Sequence, residues 1–251
     1  FKRYPVFSPK MIDKVLVHTQ QDCGEFLMLL LDSWSDEFAM RGAGNPVDEF
    51  DVCMQDKFHC ALCGEEKTRP RKERCLLLAM GAQPEVNAGM RTLPALLQHE
   101  LSSSELLDEF RCWRCDEEGG VTKTKSLVAT SKYLLLQLTR FSGELDKNGD
   151  PTKLRDPVSI PARLHLSGNP GDVNDNESAY TLVGAVLHRG STATSGHYTA
   201  CALDDVLGWI SCDDEKISKT HPEKVLADAT AYGYILLYSR EDSSSEYPED
   251  S

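Results

Sequence analysis

The chain has 251 residues, 40% of them apolar, 27% charged and 8% aromatic, which excludes a disordered or fibrous protein and suits one large folded domain or two small ones. Lys and Arg number 27 against 40 Asp and Glu, a net charge of −13, so a nucleic-acid backbone is not expected as the main partner, because binding it takes a basic surface. Nine cysteines, an odd number far below disulfide-scaffold density, point to reduced thiols and a metal in a reducing compartment.

The first 20 residues mix Lys2, Arg3, Pro5, Pro9 and Asp13 without an apolar h-region, and no run approaches the roughly 18 apolar residues of a membrane span, so neither a signal peptide nor a membrane segment is expected. The start at Phe1 suggests a processed product or a fragment. Thr19-Gln-Gln-Asp22 then opens a helical pattern in which Phe26, Leu30, Trp34 and Phe38 recur every four residues beside Leu27 and Leu31. Thr19 is the expected N-cap, Asp22 its capping-box partner, and Gly42, Gly44 and Pro46 the stop. A second helix is predicted over 92–100 on Leu93, Leu96 and Leu97, and Ser102-x-x-Glu105 reads as another helix start before Leu106 and Leu107.

Beyond residue 130 the pattern turns to short apolar runs at 133–138, 181–187, 198–203, 209–212 and 233–238, separated by turn-rich stretches at 146–149, 167–171 and 190–196. Helices first, cysteine pairs in the middle and strands last predict an α+β fold with a largely antiparallel sheet and no internal repeat. From 239 on, Glu241, Asp242, Glu246, Glu249 and Asp250 against Arg240 place −4 of the charge in a Ser-rich tail expected to be disordered. The remaining −9 favours a neutral or basic protein partner.

Cys60-Ala-Leu-Cys63 and Cys112-Trp-Arg-Cys115 each put two thiols on one tight turn. A two-residue spacer lets both sulfurs reach one metal at about 2.3 Å, and two such turns complete a closed tetrahedral zinc site, structural rather than catalytic. The alternative is four buried or redox-active cysteines. Cys53, Cys75, His59 and His99 read as packing.

Gly196-His197-Tyr198 starts one strand, and Trp209-Ile-Ser-Cys-Asp213-Asp214 ends the next. A hairpin can bring such a His and Asp together as the base and orienter of a nucleophilic triad. On spacing alone, a structural His and a turn Asp-Asp stand beside that reading.

Six ordered segments together resemble the ubiquitin-specific proteases, a papain-like group of thiol deubiquitinases. Gln20-Gln-Asp-Cys-Gly-Glu-Phe-Leu27 resembles the family's QQDAxEFL box, and the two CxxC pairs its finger zinc site. Tyr133-Leu-Leu-Leu-Gln-Leu-Thr-Arg-Phe141 is similar to the strand ending L-x-R-F, and residues 180–190 with Gly196-His197-Tyr198 to its histidine box. Trp209 to Asp214 is similar to W-x-x-F-D-D with Cys212 in place of Phe, and Tyr234-Ile-Leu-Leu-Tyr238 to the last strand. The resemblance covers about 4–240.

It implies an open hand: a helical thumb (1–46), zinc-bearing fingers (47–130) and a β palm (131–240) that grips ubiquitin, then the acidic tail (241–251). His197 would be general base toward a cysteine and then general acid toward the leaving amine. Asp213 would orient it, Asp214 would help position water or the oxyanion, and zinc would be the structural cofactor. Asp22 and Glu25 would meet the arginines of ubiquitin's C-terminal tail, and Tyr198 would wall its glycine channel. The implied partners are ubiquitin and ubiquitinated proteins, with no nucleic acid or membrane, for a monomer in cytoplasm or nucleus.

The family's nucleophile lies upstream of the QQD box in a G-N-T-C-Y stretch, and none of the nine cysteines here has that context. Cys23, at a helix start that could lower its pKa, occupies the box's small-residue position and is read as packing. The expectation is a deubiquitinase domain whose Cys box is absent from this sequence, with a catalytically silent ubiquitin-binding module as the alternative. A zinc-stabilised scaffold without ubiquitin affinity is the third reading.

Overall fold

A computed structural model describes residues 22–42, 44–80, 90–145, 151–166, 178–190 and 196–241. In chain order these form α1 (Cys23–Arg41), a 3-10 turn (Pro46–Phe50), β1 (Val52–Cys60), β2 (Glu66–Glu73), β3 (Leu76–Ala79), β4 (Arg91–Thr92), α2 (Leu93–Ser102), β5 (Ser104–Leu107), β6 (Val121–Thr130) and β7 (Tyr133–Thr139). Then follow β8 (Phe141–Leu145), β9 (Pro151–Lys153), β10 (Val158–Ser159), β11 (Arg163–Leu166), β12 (Ser178–Arg189), β13 (His197–Asp204), β14 (Gly208–Asp213), β15 (Lys216–Lys219), α3 (Pro222–Tyr232) and β16 (Gly233–Arg240).

The first helix begins later than its sequence pattern suggests. Asp22, in extended backbone, is itself the N-cap, its Oδ1 accepting the N–H groups of Gly24 at 2.7 Å and Glu25 at 3.0 Å. A carboxylate there meets two orphan donors and the positive helix end at once, which a capping-box partner would not do. The expected cap Thr19 lies outside the described residues. Gly42 ends the helix in the left-handed region at φ 62°, where the missing Cβ avoids the clash other residues meet. Thr92, in extended backbone, is the N-cap of α2 rather than its first helical residue.

The Ser102-x-x-Glu105 reading is corrected. Ser102 ends α2, and the residues from Ser104 on form β5, which adds to the edge of β6 with Ser104 opposite Thr124 and Leu107 opposite Val121. Sheet hydrogen bonds and the packing of Leu107 on the Phe58 cluster outweigh a local capping signal. The order of elements also differs from helices first: α3 falls between β15 and β16 and buries only Val225 and Ala229.

Two sheets carry the structure. The smaller runs β2-β1-β6-β5; along β1, Val52, Met54, Asp56, Phe58 and Cys60 alternate into the buried face. The larger runs β15-β14-β13-β12-β16-β7-β3 with β11 also on β12, antiparallel except for the parallel pair β3 and β7. Its strands alternate between two apolar faces. Leu134, Leu136, Leu138, Tyr180, Leu182, Leu236 and Tyr238 meet the leucines of α2 and the small side of α3. Leu135, Tyr234 and Ile235 meet Leu31 of α1 and Val47 on the other side. Each fully buried leucine contributes about 1.5–3 kcal/mol from apolar burial, so this double-sided sheet is the frame on which α1 and the β13–β14 hairpin are held.

Candidate functional site

The pairing of Ala200 with Cys212 puts His197 and Asp213 on one face of the β13–β14 hairpin, diagonally across the two strands. There His197 Nε2 lies 2.5 Å from Asp213 Oδ1, and Asp214 Oδ2 lies 4.0 Å away. The Asp213 hydrogen bond, then the charges of both aspartates, hold the imidazole above its usual pKa. With Nε2 on Asp213, Nδ1 is the nitrogen left for a nucleophile or substrate, and a half-turn of the ring exchanges the two. Asp214 opens the two-residue turn into β15, Asp213 pairing with Lys216, and has φ 52°, which Asp tolerates better than most residues.

The start of α1 is fastened beside this pair. Cys23 shares a side-chain hydrogen bond with Tyr198, the neighbour of His197. Tyr234 donates its hydroxyl to Asp22 Oδ2 and accepts from Gln137 Nε2 at 3.0 Å. Gly24 is buried against Gln137, whose amide oxygen a Cβ would strike. The Asp22 carboxylate thus has three donors, while Glu25 is exposed. Burial, then the Asp22 charge, push the Cys23 thiol up to about 12, so the helix N-terminus does not make it a thiolate. Burial likewise lifts Cys75 to about 12.

Sequence reasoning did not single out His188, Tyr234 or Gln137. His188 is fully buried in β12, its ring 4.6 Å from that of Tyr198 and 5.7 Å from that of Phe141, and neither ring nitrogen has a hydrogen-bond partner among the described residues. Burial, then the Lys153 cation, push it down to about 4. Its place on the inward side of an alternating strand was the available signal. His197, Asp213, Asp214, Asp22, Glu25 and Tyr198 are thereby gathered around the start of α1 and the β13–β14 hairpin.

The four paired cysteines meet at the far end of the smaller sheet. All four sulfurs lie within 4.8 Å of one another, with Cys60 to Cys115 at 4.0 Å and Cys63 to Cys112 at 3.7 Å. Tetrahedral Zn–S bonds of about 2.3 Å put sulfurs about 3.8 Å apart, so the set fits the ion. The two turns repeat one backbone pattern. Cys60 donates to Glu65 O at 2.9 Å and receives Gly64 N–H at 2.8 Å; Cys112 donates to Glu117 O at 2.9 Å and receives Asp116 N–H at 3.0 Å. Gly64 and Asp116, the residues after each pair, both have positive φ, 73° and 59°. The N–H groups of Cys115 and Arg114 bring the Cys112 thiol down to about 7, while the neighbouring thiols hold Cys63 up at about 12, so without a cation the cluster favours one thiolate. The ligand atoms of His197, Asp213 and Asp214 are also within 4.8 Å, but all three side chains are exposed and the spacing is that of an acid–base pair.

The family model for ubiquitin carboxyl-terminal hydrolases matches residues 6–238. Among curated proteins, the mouse ubiquitin carboxyl-terminal hydrolase 17-like protein B is 26% identical over 89% of this chain and 47% of its own length. A probable ubiquitin carboxyl-terminal hydrolase 16 of Schizosaccharomyces pombe is 24% identical over 97% of this chain and 54% of its own. The chain therefore spans about half the length of these relatives. Among solved structures, a SAGA DUB module containing Ubp8 and bound to monoubiquitin superposes with a TM-score of 0.74 at 23% identity, covering 93% of this chain and 51% of that one. That likeness shows the fold, the papain-like open hand of ubiquitin-specific protease catalytic domains. With the match running through both cysteine pairs and the His197 hairpin, this chain belongs to the ubiquitin carboxyl-terminal hydrolase family.

Proposed function

We propose that this chain carries the ubiquitin-binding surface and the acid–base half of a thiol deubiquitinase acting on the isopeptide bond at ubiquitin's C-terminal glycine. The observation that carries the reading is the 2.5 Å contact between His197 and Asp213 on one hairpin face, beside the start of α1. His197 takes the proton of a cysteine thiol as the sulfur attacks the glycine carbonyl, then gives it to the departing lysine amine. Asp213 holds the imidazole and balances its transient charge. Asp214, 4.0 Å away, adds a second negative charge and is positioned to order water.

None of the nine cysteines stands in the sequence context of the family's nucleophile. Cys23 has its thiol pushed to about 12 and bound to Tyr198, and Cys60, Cys63, Cys112 and Cys115 form a metal set. The same fact favours the second reading, a module that binds ubiquitin without cleaving it. In either case the four thiols hold a structural zinc, whose binding energy is folding energy for the smaller sheet. The net charge of −13 and the reduced thiols support protein rather than nucleic-acid partners, a monomer, and a reducing cytoplasmic or nuclear setting.

The test uses ubiquitin bearing a C-terminal electrophile, followed by mass spectrometry of the chain. Ubiquitin should bind and no cysteine should be labelled; labelling of Cys23 would overturn the placement of the nucleophile, and absence of binding would overturn the function. The double change Asp22→Asn with Glu25→Gln should weaken ubiquitin binding and flatten its salt dependence. Unchanged affinity with the fold intact would leave Asp22 with its observed capping role alone.

A further inference from the structure

Arg140, between β7 and β8, is 1% exposed and heads the buried side chains by volume. Its Nε donates to Gly233 O at 2.6 Å, and its Nη1 to Leu154 O at 3.2 Å and Asp156 O at 3.0 Å. Among the described residues Nη2 has no hydrogen-bond partner. A buried charged donor left without a partner costs more than a neutral one.

This guanidinium lines a cavity of about 210 Å³ together with Lys153, Arg155, Gly190, Ala231 and Tyr232. Three cationic residues therefore line one space, and among the described residues no carboxylate lines it. The Asp156 charge reaches Arg140, but its Oδ2 is bonded to Arg91 at 2.6 Å. Asp228 is engaged by Arg189 at 3.3 Å and Lys224 at 2.7 Å. Lys153 donates to His188 O at 2.7 Å and Gly190 O at 3.2 Å. Burial, then the two arginines, push its ammonium down to about 8. Like charges gathered beside a buried guanidinium repel one another unless an opposite charge joins them.

We propose that this cavity binds a small oxyanion, a phosphate or sulfate group, between Arg140 Nη2, Lys153 and the exposed Arg155. Its volume falls below the roughly 300–1,000 Å³ of sites for drug-sized ligands, which suits a lone tetrahedral anion and not a nucleotide. Guanidinium groups match the geometry of such oxygens, and Lys153 adds a compact charge. The site is separate from the His197 hairpin in its chemistry but touches the same chain path: Gly190 follows β12, whose His188 packs on Tyr198.

Titration of the whole chain with inorganic phosphate at fixed ionic strength, followed by calorimetry and by ³¹P line width, tests this. One saturable site per chain is expected, with sulfate competing and chloride not. Arg155→Gln, a change at an exposed position, should weaken binding about tenfold or more, the scale of one lost charge-assisted hydrogen bond. Lys153→Met should weaken it further. Phosphate also stabilises proteins generally by exclusion from their surface, so an equal thermal response in the parent and Arg155→Gln proteins, or no saturable binding, overturns the proposal. Saturation by a phosphoserine peptide where inorganic phosphate fails also overturns it, because the ligand would then be a macromolecule.

Discussion

The two sheets are stabilised by different means. The larger one sits on a cluster of 24 buried apolar residues among those described, fed from α2 and α3 on one face and from the root of the smaller sheet through Val52 and Met54, while α1 packs on its other face. Among the described residues the apolar cluster at the tip of the smaller sheet buries only Phe58, Cys60, Cys112 and Val121, and two of those four are thiols of the cysteine cluster. Its outer strand β2, Glu66-Lys-Thr-Arg-Pro-Arg-Lys-Glu73, has no buried residue. Where the chain cannot gather enough apolar area, it gathers four thiols that could be crosslinked through a metal, which would let the sheet extend away from the core.

The largest expected effect separates the two directly. Chelation, or Cys112→Ser, should remove a term that reaches about 10–16 kcal/mol in isolated zinc modules. Amide exchange should then accelerate in 56–60 and 121–124 while β7, β12 and β16 keep their protection. Equal loss in both sheets would break the comparison. Leu136→Ala, in the middle of the large core, should cost about 2–5 kcal/mol in denaturant unfolding. Its metal content in the folded state should stay that of the parent.

His188 gives the larger sheet an acid sensitivity. Its pKa is about 4 folded against 6.5 for the ordinary group, so between those values the unfolded chain takes a proton that the folded chain refuses. Its stabilising contribution is complete above pH 6.5 and shrinks as pH falls toward 4, by up to about 3 kcal/mol. Urea titrations across that window should show a shallower slope for His188→Gln than for the parent, whatever the absolute stabilities. The smallest effect is at the exposed hairpin. Asp213→Asn should let the His197 pKa fall toward 6.5 in an NMR titration while the melting temperature barely moves. Because Asp213 raises that pKa, its contribution is complete at pH below 6.5 and lost as pH rises through the folded value.

Much of the larger sheet was legible because its strands announce themselves. Tyr-Leu-Leu-Leu-Gln-Leu in β7 and Tyr-Ile-Leu-Leu-Tyr in β16 are apolar on both faces, as a sheet covered on both sides demands. The cysteine pairs were legible because spacing fixes what two thiols can reach, whereas the His197 and Asp213 pairing stayed open on spacing alone and was drawn from the family resemblance. β2 was not, since an exposed strand of charged residues has no apolar period to read. Nor was α3, which turns Val225 and Ala229 inward and offers no wide stripe. The role of Asp22 was half legible: its position near a helix start was clear, but its Tyr234 partner comes from a strand 212 residues away.

The place of β16 bears on how the molecule assembles. Residues 233–240 lie between β12 and β7, so the two larger parts of the sheet are joined by the last described strand of the chain. During synthesis, β7 and β12 must wait with unpaired edges until that strand leaves the ribosome. Contacts so distant in sequence close slowly, and open edges invite pairing with other chains. A deletion that removed residues 233–240 would therefore split the sheet through its middle, and such a product should collect in inclusion bodies rather than as a shortened soluble domain.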